Sequence, residues 1–207
     1  EDFLFRLAHE YPRREQVMQY GEDDLTFISR LLGEVGIWFR FTADTRLNID
    51  VAEFFDDQQH YEAGLMLPSV APSGQHDGGS ESVWDLQSRH HVVERSVFTR
   101  DYNYRNAPED MNLNINVSRG DSTTYGEAYH WADNYLAPGN RYQHTPDPES
   151  GAFYARIRHE RYLNQQTRLS GETNCATLAP GQLLKVNGGE EVTEVWRRGV
   201  AITAIHC

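Results

Sequence analysis

The stretch Glu22-Asp23-Asp24-Leu25-Thr26-Phe27-Ile28-Ser29-Arg30-Leu31-Leu32-Gly33-Glu34-Val35-Gly36-Ile37-Trp38-Phe39-Arg40-Phe41 changes its apolar period midway, and that change decides the fold class. Leu25, Ile28, Leu32 and Val35 fall on one helical stripe, which Phe27 and Leu31 widen. Asp23 or Asp24 is placed to accept the free N–H groups of the first turn, where negative charge also suits the helix dipole. Gly36 stands at the left-handed stop position. Beyond it Ile37, Phe39 and Phe41 point one way while Trp38 and Arg40 point the other, the period of a strand. A turn at Ala43-Asp44-Thr45 leads to a second alternation, Leu47, Ile49 and Val51 against Asn48, Asp50 and Ala52. This predicts a helix followed by a hairpin, with Leu25, Ile28, Leu31, Leu32 and Val35 packed on the hairpin 37–51.

Working outward, Phe3 to His9 reads as a strand, and Pro68 to Ser82 as a loop by its Pro, Gly and Ser content. Strand-like runs resume at Val83-Trp84-Asp85-Leu86 and pass through Val92-Val93 and Val97-Phe98. Leu113, Ile115 and Val117 alternate with Asn112, Asn114 and Asn116, a half-buried strand. Ser150 to Gln166 reads as a second helix. Three strands follow, over 168–175, over 182–186 and from Val195 to Ile205, with turns at Pro180-Gly181 and Asn187-Gly188-Gly189. The class is α+β: small antiparallel barrel-like sheets with two helices. The linear organisation is a strand–helix–hairpin part over 1–67, a loop over 68–82, central strands with the second helix over 83–166, and C-terminal barrel-like strands over 167–207.

Composition narrows the function. The chain has 207 residues, 39% hydrophobic and 24% charged, which is a folding composition. Lys and Arg number 19 against 31 Asp and Glu, a net charge of −12. Such an acidic chain is poorly suited to clamp nucleic acid, whose phosphates need a basic face, or to bind an anionic membrane. No apolar run approaches the roughly 20 residues of a membrane-spanning helix. No basic segment with a small-residue cleavage site precedes Phe3, so no signal peptide is expected. Two cysteines, Cys175 and Cys207, fit thiols in a reducing compartment better than a disulfide framework. Regular structure at both ends reads as a piece of a longer protein.

The constellations that carry chemistry are weak. His90 and His91 are strand neighbours pointing to opposite faces, and His159-Glu160 does not open an H-E-x-x-H. Cys175 and Cys207 have no C-x-x-C spacing, and His206-Cys207 with Cys175 would assemble a metal site only if the last strand paired beside the first. There is no G-x-S-x-G, no G-x-G-x-x-G and no P-loop. The carboxylate pairs Asp23-Asp24, Asp56-Asp57 and Glu190-Glu191 are of a kind any acidic surface contains. Tyr125, Tyr129, Trp131, Tyr135 and Tyr142 could form a sugar-binding strip, though such residues more often pack at edges and interfaces. No catalytic residue, metal ligand or cofactor-binding residue is assigned.

The run from Gln19 to Phe41 resembles the VgrG family of type VI secretion spike proteins: Gln-Tyr, an acidic residue before Asp, Phe-x-x-Arg-Leu-Leu, then Gly-Ile and aromatics. Further pieces match in order. They are Asp101-Tyr102-Asn103-Tyr104 with Pro108, Ala137-Pro138-Gly139, the helix bearing Ala155-Arg156, Gly171 to Cys175 with Leu178-Ala179-Pro180-Gly181, and Val200 to His206. Gly21 departs from the charged residue frequent there.

The resemblance implies a phage tail-hub-like fold and a structural, non-enzymatic role. It implies a homotrimeric hub docked on a tube of Hcp hexamers and delivering effectors. A PAAR tip protein or effector would be held through regions beyond this segment. It implies assembly in the bacterial cytoplasm followed by secretion, without nucleic acid, cofactor or stable membrane insertion. The segment alone is expected to associate weakly. A phage late-control or baseplate hub protein is the near alternative, and a small carbohydrate-active or hydrolytic domain the alternative of another class.

Overall fold

A computed structural model describes residues 3–71, 79–118, 123–131 and 133–206. Along the chain run β1 (Phe3–Arg6), α1 (Asp24–Glu34), β2 (Trp38–Asp44), β3 (Ile49–Phe55), β4 (Glu62–Pro68), β5 (Val83–His90), β6 (Ser96–Arg100) and β7 (Asn112–Ile115). They are followed by β8 (Glu127–Trp131), α2 (Gly151–Gln166), β9 (Thr167–Thr173), β10 (Gln182–Asn187), α3 (Glu194–Arg198) and β11 (Val200–Ala201). None of the helices is long and apolar enough to cross a membrane among the described residues. Part of the loop read over 68–82 lies outside the described residues, as does Cys207.

The chain forms two compact units, each discontinuous in sequence. The first comprises Glu1–Arg6, Phe39–Arg89 and Arg168–Cys207; the second comprises Leu7–Trp38 and His90–Thr167. The sheets have strand orders β1-β3-β2, β11-β10-β4, β5-β9 and β7-β6-β8.

The core of the first unit gathers Leu67 from β4, Val83 from β5, Leu184 and Val186 from β10, Trp196 from α3, and Cys175 and Val192 from loops. Val200 and Ile202 pack against it, and Val186 is buried. Leu183 is half-buried. The pairing of these strands is mixed where antiparallel pairing was expected. β10 runs parallel to β4, with Lys185 opposite Met66 and Val186 opposite Leu67, while its partner on the other side, β11, is antiparallel. β9 is bonded to β5. The described sheets remain open, with no closed barrel among them.

The strand read from Val195 to Ile205 is in fact α3 followed by the two-residue β11, which makes three α-helices among the described residues where two were expected. β-prone Val195 and Trp196 suggest a strand. Trp196 instead drops into the core from a single turn, Glu194 pairs with Arg198 four residues on (2.9 Å), and Gly199 at φ +118° ends the helix.

In the second unit the two long helices form where the sequence places them. Asp23 caps α1, its carboxylate accepting from the Thr26 N–H (2.9 Å) and hydroxyl (2.7 Å). At the other end the Ile37 N–H donates to the Leu32 carbonyl (2.9 Å) across Gly36 at φ +76°, the expected left-handed stop. The expected packing of the α1 stripe on the hairpin is corrected. α1 belongs to the second unit and has no fully buried residue; Leu25 is 64% exposed and Ile28 45%. Only the C-terminal end enters a core, where Val35 and Ile37 join Phe153, Tyr154, Ile157, Met111 and Tyr135. The stripe is apolar along its length, but the partner surface reaches only its last turn.

α2 begins at Ser150, whose hydroxyl accepts from the Phe153 N–H (3.2 Å). Ala152, Ala155 and His159 are fully buried on one stripe, and Ala155 packs with Val97 of β6 and Ile115 of β7. In β7 Leu113 and Ile115 are buried and Asn114 exposed, as the alternation predicts. β8, which the sequence reading did not identify, lies parallel to β6, with Phe98 opposite Tyr129 and Arg100 opposite Trp131.

Candidate assembly surfaces

In the first unit the sheet β1-β3-β2 carries five phenylalanines in contact on one face. Phe5 stacks on Phe54 at 5.0 Å between ring centroids, Phe54 meets Phe39 at 5.7 Å, Phe39 meets Phe41 edge-on at 5.9 Å, and Phe3 meets Phe5 at 5.8 Å. The strand period puts 3 and 5, and 39 and 41, on the same side. Phe41 is 68% exposed, Phe5 62% and Phe3 55%. On the other face Phe55 is buried, and Glu53 sits between Arg6 (3.1 Å) and Arg40 (3.0 Å); Arg40 also pairs with Glu62 (2.8 Å) and lies over the Phe55 ring. Two cations and two carboxylates balance there. The charge is consumed on the inner side, and the outer side is left apolar.

In the second unit the sheet β7-β6-β8 has its own open face. Phe98 and Tyr129 stack at 5.7 Å, and the Arg100 guanidinium lies 5.8 Å from the Trp131 ring centre. Glu127 accepts from Asn114 (2.5 Å) and Ser96 (3.4 Å) beside them. Tyr129 and Trp131 are exposed, as are Tyr125 and Tyr142. Tyr135 is not part of any strip. It is buried, its hydroxyl donates to the Met111 carbonyl (2.6 Å), and burial pushes its phenol up to about 12. Contiguous exposed aromatic faces of this kind mark interaction surfaces.

The polar residues of the motifs are engaged in caps, turns and ion pairs. Gln19 donates to the Glu22 carbonyl (3.0 Å) and to Asp24 (2.9 Å), and Arg30 pairs with Glu22 (2.6 Å) and Glu34 (3.3 Å). The hydrogen bond from Arg30 holds the Glu22 carboxyl below the usual range, and bonds from the Thr26 N–H and hydroxyl do the same for Asp23. Asp101 accepts from the Tyr102 (2.8 Å) and Tyr135 (3.1 Å) N–H groups, and Asn103 donates to the Leu136 carbonyl (2.9 Å). The carbonyls of Ala137 and Pro138 accept from the first N–H groups of α2, those of Gly151 (3.0 Å) and Ala152 (2.8 Å). Gly139 has φ +74°, and a Cβ there would stand 2.6 Å from the Ser150 hydroxyl oxygen. Ala137-Pro138-Gly139 is thus a helix-capping loop.

The other sequence candidates stay scattered. Asp57 caps a 3-10 turn through the Gln59 N–H (2.8 Å), and Glu190 and Glu191 are exposed. His90 Nδ1 lies 3.1 Å from the Thr167 hydroxyl, and the buried Cys175 sulfur is 3.2 Å from the Thr177 hydroxyl. Arg197 reaches the Gly189 carbonyl and Arg198 pairs within α3. Among the described residues no group of three or more His, Cys, Asp or Glu could hold a metal ion.

A denser polar cluster is not legible in the sequence, because its members are far apart in the chain. Arg14 contacts Glu34 (2.8 Å), Glu149 (3.1 Å) and the Tyr154 hydroxyl (3.0 Å), and Tyr154 donates to Glu149. Burial first, and then the bond to Glu149, push the Tyr154 phenol up. These groups consume one another in binding the segment around Arg14 to α1 and α2. An apolar groove of about 200 Å³ along β4 and β10 is lined by Leu65, Met66 and Leu183 with Lys185 and Arg198, and it contains no carboxylate.

Comparison with known proteins matches this architecture. The sequence pattern described as phage tail baseplate hub (GPD) matches residues 1–206. The type VI secretion system spike protein VgrG1c of Pseudomonas aeruginosa is 25% identical over 81% of this chain and 22% of its own length. VgrG1b of the same organism is 22% identical over 90% of this chain and 24% of its own. The E. coli c3393 protein, described as a component of the type VI secretion system with structural similarity to the T4 bacteriophage tail proteins gp27 and gp5, superimposes with a TM-score of 0.60. It is 42% identical, over 98% of this chain and 37% of that one. The chain therefore spans under a quarter of the length of these curated relatives. The resemblance to VgrG spike proteins read from the motifs holds across the chain, and the fold is α+β and tail-hub-like. This chain belongs to the phage tail baseplate hub (GPD) family.

Proposed function

We propose that this chain is a non-enzymatic hub segment of a type VI secretion puncturing spike, trimerising and docking on the Hcp tube so that effectors are delivered with it. The observation that carries the reading is the pair of open aromatic faces, Phe3-Phe5-Phe54-Phe39-Phe41 in one unit and Phe98-Tyr129 with Trp131 in the other. Two such units in each of three copies would offer six contacts to a six-fold tube, and closed symmetry requires each copy to cover surface on two neighbours. The motif side chains favour a structural role, since they are engaged in capping and ion pairs. The 42% identity to a type VI secretion component favours a secretion spike over a phage hub. In this reading the protein assembles in the bacterial cytoplasm and leaves with the machine.

Light scattering on the intact spike, alone and with the tube subunit, tests the reading. A trimer that co-elutes with Hcp rings is expected. A strictly monomeric intact protein overturns it. So does glycan or peptidoglycan hydrolysis by this chain that a single Asp or Glu substitution abolishes.

A further inference from the structure

Two histidines join α2 to the sheet of the second unit, and neither belongs to the aromatic faces. His159, in the middle of the buried α2 stripe, has no solvent exposure. Its Nδ1 accepts from the Val117 N–H (2.9 Å) just beyond β7, and its Nε2–H donates to the Glu94 carbonyl (3.1 Å) just before β6. One ring thereby ties the helix to the chain flanking two strands. His130 on β8 is half-buried. Its Nδ1 lies 2.7 Å from an Arg158 Nη of α2, and its Nε2 lies 3.1 Å from the Tyr162 hydroxyl one turn further along. Arg158 also pairs with Asp133, whose other oxygen accepts from Thr99 of β6 (3.1 Å).

In both rings Nδ1 faces a group that can only donate, a backbone N–H in one case and a guanidinium in the other. Both are therefore neutral Nε2–H tautomers. A proton added at either Nδ1 would set N–H against N–H, and the contact must open to relieve it.

We propose that the α2–sheet contact is an acid-released latch, in which proton uptake by His159 and His130 breaks the bonds to Val117 and Arg158 and frees α2 from β6, β7 and β8. The charged groups around the rings do not cancel this cost. His159 faces Glu94 from the chain before β6 and Glu160 on its own helix, while β6 and β7 bring Val97 and Ile115 to this core; His130 faces Arg158 and Tyr162 from α2, Asp133 from the chain after β8, and Glu94. Burial holds both rings below the ordinary histidine value, and Arg158 adds to this at His130. The folded state thus binds fewer protons than the unfolded state. The stabilisation is complete above the unfolded value, roughly pH 6.5, and is lost as the pH falls below it. The carboxylates held low in the folded state lose their contribution only below the ordinary unfolded value, roughly pH 4, outside this window.

The test is urea unfolding of the 207-residue chain between pH 7.5 and 5.0, together with hydrogen exchange corrected for the intrinsic pH dependence of the amides. Below about pH 6.5 the unfolding constant of the second unit should rise by up to about 100-fold per pH unit, one decade per histidine. H130Q, at the half-buried site, should fold and lower that slope towards tenfold; H159Q, where it folds, should do the same. In the wild-type protein the Val117 and β6 amides should lose protection at pH 5.5 while those of β10 keep theirs. An unfolding constant flat from pH 7.5 to 5.5, an unchanged slope in H130Q, or equal loss of protection in both units would overturn the latch.

Discussion

Replacing Phe41 and Phe55 in turn by alanine separates what the sheet β1-β3-β2 does for folding from what it offers to a partner. The two residues lie on strands of the same sheet and on opposite faces. Phe41 is 68% exposed and Phe55 is 1% exposed. A phenylalanine side chain carries about 200 Å². Folding therefore removes about 65 Å² at Phe41, worth about 1.6 kcal/mol, against about 200 Å² and about 5 kcal/mol at Phe55. The edge-on contact with Phe39 adds about 1 kcal/mol to the first figure. The remaining area of Phe41, about 135 Å², is worth a gross 3.4 kcal/mol if a partner covers it, a factor of about 300 in one association constant. Imperfect covering reduces that, to about tenfold at the least. Phe41→Ala should lower the urea midpoint modestly and weaken assembly at least tenfold in sedimentation velocity of the intact spike with its tube subunit. Phe55→Ala should cost about 3–5 kcal/mol of stability in this chain. Equal stability losses would refute the assignment of faces. A Phe41→Ala spike that assembles at wild-type concentrations would show that the phenylalanine face is not the contact.

Gly139→Ala meets both the wrong φ and the Ser150 side chain, and should cost about 2 kcal/mol or more by thermal unfolding. Ser150→Ala leaves the α2 backbone otherwise intact and should cost about 1 kcal/mol, the ordinary value of an N-cap. Leu31→Ala, at a half-buried position of α1, should cost about 1–2 kcal/mol, below the roughly 2–5 of a buried leucine. The Glu22 and Asp23 carboxyls are held low in the folded state, so their contribution to α1 is full above about pH 4 and falls as acid protonates them. Helical circular dichroism should follow that window, and Asp23→Asn should flatten it.

Local structure was legible wherever a period and a cap agreed. Asp23 and Gly36 bracket α1, Ser150 starts α2, and the Leu113/Ile115 alternation marks β7, because an N-cap, a left-handed stop and a two-residue repeat are set by neighbours within a turn of the chain. The order of the motifs from Gln19 to Val200 also carried the family. Tertiary structure decided which apolar faces find a partner. The α1 stripe and the Phe41 face look equally suited to burial in the sequence, yet only Val35 and Ile37 enter a core, because a moment of hydrophobicity does not say how far the opposing surface extends. It decided strand direction too, since residues 182–187 read the same whether β4 runs parallel or antiparallel beside them. It turned Val195–Arg198 into a helix through the burial of Trp196. His159 could be read as one more polar residue of a charged helix; only the fold, by bringing the Glu94 carbonyl and the Val117 N–H to its two nitrogens from segments 65 and 42 residues away, makes it a buried, neutral tie.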